Sequence, residues 1–94
     1  MKEEVIELHA IVHGHVQGVC FRAITASYAQ EKGISGTVAN LDDGTVEIYA
    51  QGTRESLKDL LDFLEGPKGP GKIARIIKEY KKPSQLFEGF KVVR

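Results

Sequence analysis

The sequence predicts an α+β sandwich in the order β-α-β-β-α-β, closed by a short further strand. Three observations carry that prediction. Apolar residues alternate at period two in several short runs. Two stretches at helical spacing lie between those runs. Glycine, Asp-Gly or Gly-Pro stands at the changes of period.

Over residues 5–13, Ile6, Leu8, Ala10 and Val12 fall on even positions and Glu7, His9 and His13 on odd ones, the pattern of a half-buried strand. The run Gly14-His15-Val16-Gln17-Gly18-Val19-Cys20 breaks that period with two glycines and reads as a loop. Phe21, Ile24 and Tyr28 then recur at helical spacing up to Lys32, and Gly33 stops the helix because glycine takes the left-handed conformation without penalty. Residues 35–41 and 45–51 read as two strands, the second with Val46, Ile48 and Ala50 inward. Asp42-Asp43-Gly44 between them is a strong hairpin signal. Thr53 is a good N-cap, Glu55 suits the positive end of a helix dipole, and Leu57, Leu60, Leu61 and Leu64 form an i, i+3, i+4, i+7 stripe. Residues 66–71, rich in Gly and Pro, are short enough to be a loop within one domain. Strands follow at 73–80 and 90–93. The arrangement is the ferredoxin-like split βαβ, in which right-handed crossovers place both helices on one face of an antiparallel sheet.

Ninety-four residues suit one core, so 1–94 is read as a single domain. A core this small leaves no room for a large internal cavity, and any ligand should be small and bound near the surface. Thirteen Lys plus Arg balance thirteen Asp plus Glu, which argues against a nucleic-acid partner, since such binding needs an excess of cations on one face. Cys20 is alone and cannot form an internal disulfide, as is usual in a reducing compartment. No secretory h-region precedes the first strand, and no apolar run nears the roughly 20 residues of a membrane span. The expected protein is cytoplasmic and monomeric, with no membrane partner.

Chemistry concentrates between the first strand and the first helix. A glycine-containing loop that feeds a helix N-terminus presents unpaired backbone N–H groups, which with the helix dipole make an anion site. Arg22, in the first helical turn, is placed to reach back over that loop and grip two oxygens of a phosphate. By spacing alone the same residues also describe an ordinary strand-to-helix turn with a solvated arginine, and Asn40, before the hairpin, is by itself an ordinary turn former. Both Gly-x-x-x-x-Gly-Lys-Ser/Thr and Gly-x-Gly-x-x-Gly are absent, so ATP and NAD readings lack support. Cys20-Phe21-Arg22 is too short to wrap a phosphate around a cysteine nucleophile, and Cys20 reads as a small buried hydrophobe. His9 and His13 would lie about 13 Å apart on an extended strand, too far to share an ion. His13 and His15, without a carboxylate or cysteine partner, make a poor metal site.

Gly14-His15-Val16-Gln17-Gly18-Val19-Cys20-Phe21-Arg22, then Gly36-Thr37-Val38-Ala39-Asn40, then Gly44-Thr45-Val46-Glu47 and Gly52, together resemble the two signatures of the acylphosphatase family in order, spacing and identity. The resemblance extends over nearly the whole chain. It implies hydrolysis of small acyl phosphates without a metal or other cofactor. It also implies that Arg22 is the phosphate-binding catalytic arginine, Asn40 orients the attacking water, and residues 14 to 20 form the phosphate cradle. The sequence departs from the family at Thr37, where an aromatic is usual, and at Ala39 and Ala23, where side chains are usually longer. The competing class is a non-catalytic module on the same fold that binds an anion or RNA. RNA recognition wants paired aromatics on exposed strands, and the strand from Thr45 offers only Tyr49.

Overall fold

A computed structural model describes residues 4–18 and 20–93. The elements follow in the expected order: β1 (Ile6–His15), α1 (Phe21–Glu31), β2 (Ser35–Asn40), β3 (Val46–Gly52), α2 (Arg54–Glu65), β4 (Lys72–Lys81) and β5 (Phe90–Val92). They build one five-stranded sheet in the order β4-β1-β3-β2-β5.

β1 lies between β3 and β4 and is antiparallel to both, and β2 is antiparallel to β3. β5 is parallel to β2, pairing Gly36 with Phe90 and Val38 with Val92, so the sheet is mixed where an antiparallel one is expected. Chain direction explains this. β4 runs opposite to β1 at one edge, so the chain leaving it crosses to the far edge at the end where β1 starts, and there it enters in the direction of β2. Gln51, only 3% exposed, holds that crossing. Its Nε2 donates to the Gln85 carbonyl at 2.7 Å and to Glu7 Oε1 at 2.8 Å, and its Oε1 accepts from the Phe87 amide at 3.0 Å.

The alternation expected of β1 and β3 sets the core. Leu8, Ala10 and Val12 with Val46, Ile48 and Ala50 are fully buried under the helices, and Leu57, Leu60, Leu61 and Leu64 of α2 pack onto them. Thr53 caps α2 as expected, its side chain accepting from the Ser56 amide at 3.1 Å. α1 turns a different face inward than its apolar spacing suggests. Phe21, Thr25, Ala26 and Ala29 are buried, and Ile24 is 37% exposed. Small side chains let this helix lie close to the sheet edge, where Gln30 donates to the Phe90 carbonyl at 2.9 Å.

β1 also runs two residues beyond its expected end. The register shifts between His13 and Gly14, after which Gly14 pairs with Ile73 and His15 with Lys72. Gly14 has φ 138°, and a Cβ there would overlap the Lys72 carbonyl oxygen. Its glycine therefore serves a close approach between strands.

Candidate active site

β1 and β2 both finish at the end of the sheet opposite the Gln51 crossing, and a cavity of about 380 Å³ opens there. Three separate stretches of chain line it. Val16, Gly18 and Cys20 come from the connection after β1, and Phe21, Arg22 and Ala23 from the first turn of α1. Asn40 comes from the last position of β2 and Val92 from β5. The volume falls in the range of small-molecule sites. No acidic side chain lines it among the described residues.

Backbone conformation makes the helix end available. Gly18 takes φ 77° and Cys20 φ 61°, so the chain enters α1 through two left-handed residues. Cys20 is the N-cap and makes no side-chain capping bond, and no acidic residue stands in the first turn. The first intrahelical bond runs from the Ile24 amide to the Cys20 carbonyl at 3.0 Å. Residues 21–23, the first turn of α1, precede that bond in the chain. Phe21, Arg22 and Ala23 thus wall the cavity at the positive end of a helix dipole.

Asn40 approaches from across the cavity. It closes the β2–β3 ladder opposite Val46, and its Oδ1 is buried without a hydrogen-bond partner among the described residues. A buried carboxamide oxygen held this way is costly unless something polar meets it. The turn that follows is tightly bonded. The Leu41 amide donates to the Thr45 carbonyl at 2.9 Å, and the Thr45 amide and hydroxyl donate to Asp43 Oδ1 at 3.1 and 2.6 Å. The Thr45 hydroxyl, then its amide, hold the Asp43 carboxyl below its usual range.

Of the nine residues singled out in the sequence, Arg22, Asn40, Val16, Gly18 and Cys20 meet at this cavity. Gly14 and His15 belong to β1, paired with β4, and do not line it. Gln17 does not line it either: its Nε2 donates to the carbonyls of Leu41 at 2.9 Å and Thr45 at 2.8 Å. Val19 lies outside the described residues. The structure adds Phe21, Ala23 and Val92. Phe21 and Ala23 flank Arg22 and follow from the helix start. Val92 carries no local signal, because only the crossing from β4 brings it to the site.

His9 sits on the sheet face away from the helices, 2.7 Å from Glu47 and stacked on Tyr49 with ring centroids 4.4 Å apart. Among the described residues no group of three or more His, Cys, Asp or Glu is placed to hold a metal ion, and no helix is long and apolar enough to cross a membrane.

The family model described as acylphosphatase matches residues 8–92. Over 90 residues the chain is 43% identical to a curated acylphosphatase of Mycolicibacterium vanbaalenii, covering 96% of this chain and 97% of that one. Among solved structures, the acylphosphatase from Bacillus subtilis superposes with a TM-score of 0.86 at 30% identity, covering 95% of this chain and 99% of that one. An acylphosphatase from Coxiella burnetii does so with a TM-score of 0.83 at 32% identity, covering 96% and 94%.

Proposed function

The chain belongs to the acylphosphatase family, and on that premise we propose that it hydrolyses the carboxyl-phosphate anhydride bond of small acyl phosphates at the cavity between α1 and β2. The single observation that supports the site is that the α1 N-terminus, Arg22 and the buried carboxamide of Asn40 border one cavity.

The roles follow from the chemistry. A phosphoryl group seated on the amides at the start of α1 has its charge met by the helix dipole and by the Arg22 guanidinium, which offers a bidentate fork to two oxygens. Phosphoryl transfer asks little of a protein except positioning and charge stabilisation of the equatorial oxygens. Asn40 Oδ1 accepts a hydrogen bond from water and aims it at phosphorus opposite the bond that breaks. The P–O(acyl) bond opens, its electron pair stays on the carboxylate, and the proton from water passes to phosphate or solvent.

No general acid is needed. The leaving carboxylate has a conjugate acid of pKa about 4, against about 16 for water, and departs unprotonated. A monoester phosphatase must instead protonate or metallate its leaving alkoxide. Poor turnover of phosphate monoesters is part of the same reading.

Hydrolysis of benzoyl phosphate in excess EDTA tests the proposal. Wild-type protein is expected to turn over, and Arg22→Ala to lose about 10³-fold or more, as for other charge clamps on a phosphoryl group. Asn40→Ala is expected to lose turnover as well. A wild type without turnover, or undiminished rates in both variants, overturns the assignment. Wild-type protein that binds inorganic phosphate without turning over benzoyl phosphate would favour the anion-binding module.

A further inference from the structure

We infer that Gln17 is a positioning residue, tying the segment that leads into α1 to the turn that carries Asn40. The inference rests on the hydrolytic reading above. Gln17 sits between two cavity residues, Val16 and Gly18, yet its own side chain faces elsewhere. The two hydrogens of its amide nitrogen go to two carbonyls of one turn, Leu41 at 2.9 Å and Thr45 at 2.8 Å. These are the two ends of the 41–45 turn, which is itself closed by the Leu41 amide bonding to the Thr45 carbonyl. Leu41 is the residue directly after Asn40.

The consequence is geometric. Arg22 lies five residues beyond Gln17 and Asn40 one residue before Leu41, so the Gln17 side chain is a strut across 24 residues of sequence between the two sides of the cavity. In-line attack needs the water held by Asn40 and the phosphoryl group held by α1 in a fixed relation, and misplacement of about 1 Å costs on the order of 100-fold. Phosphate binding by the amides of α1 makes no such demand on the turn. Loss of the strut should therefore fall on kcat rather than on binding.

The test uses Gln17→Met, which keeps length and volume and removes both donors, with Gln17→Glu as the second variant should the first not fold. Benzoyl phosphate kinetics are measured for wild type and variant, in the native background and in Asn40→Ala, with inorganic phosphate as a competitive inhibitor. Expected are a fall in kcat of about 10- to 100-fold, and KM and the phosphate inhibition constant within about 3-fold of wild type. In the Asn40→Ala background the same substitution should change kcat by less than about 2-fold, because the group it positions is gone. A raised KM with unchanged kcat, or losses that multiply in the double variant, overturns the inference. Wild-type protein without turnover overturns the hydrolytic reading instead. The strut is then judged by the side-chain amide resonance of Asn40, which must move or broaden in Gln17→Met, and which overturns the inference if it stays in place.

Discussion

Cys20 is the one non-glycine residue with positive φ among those described, at 61°. The left-handed conformation costs a residue with a Cβ roughly 1–2 kcal/mol. Such conformations persist where the surroundings over-determine them, and they collect at ligand sites. Here the site supplies the reason: turning the chain at Cys20 aims the start of α1 at the cavity that also holds Arg22 and Asn40. Glycine relieves the strain but makes the unfolded chain freer, so Cys20→Gly is expected to gain a net of about 0.5–1 kcal/mol. Urea unfolding with an unchanged slope would measure it. Cys20 lines the cavity and is exposed, where a buried hydrophobe is expected of a lone cysteine, because the turn into α1 holds it at the surface. The loop reading of the sequence catches the glycines but not this residue, because nothing in a cysteine's chemistry announces a left-handed backbone.

At the scale of elements, the β2–β3 turn and α2 were both legible, and for the same physical reason: their signals are local. Asp42-Asp43-Gly44 and the Thr53 cap with its leucine stripe each act over a few residues. The turn gives a pH prediction. The Thr45 hydroxyl and amide bond to the Asp43 carboxylate and lower its pKa in the folded state. A carboxyl with a depressed folded pKa stabilises the fold above its unfolded value, about 3.9, and that contribution is lost as pH falls through the folded value. Acidification below about pH 4 should therefore loosen this turn. Thr45→Ala should return the Asp43 titration, followed by NMR, toward the ordinary carboxylate range. α1 and β1 are less legible. The spacing of Phe21, Ile24 and Tyr28 predicts a face that includes Ile24, whereas close packing at the sheet edge selects Ala26 and Ala29. Gly14 and His15 resemble loop residues because a bulge that needs glycine looks, in one dimension, like a turn.

For the whole molecule, the order of elements follows from periodicity, but the pairing of β5 does not, since it depends on where β4 ends in space. The cavity wall at Val92 is hidden from the sequence for that reason. Binding at a preformed site also predicts a global effect. Inorganic phosphate at 100 times its dissociation constant should stabilise the folded state by about 2.7 kcal/mol. Thermal unfolding should show a rise of about 4–8 °C per kcal/mol in wild type and little in Arg22→Ala. Because β5 supplies one wall and the segment from 16 to 23 another, the ribosome finishes one side of the pocket some seventy residues before it begins the other. A nascent chain halted ahead of Phe90 would carry the arginine and the asparagine yet present them at an unwalled rim, so translation itself sets the earliest moment at which this catalyst is whole.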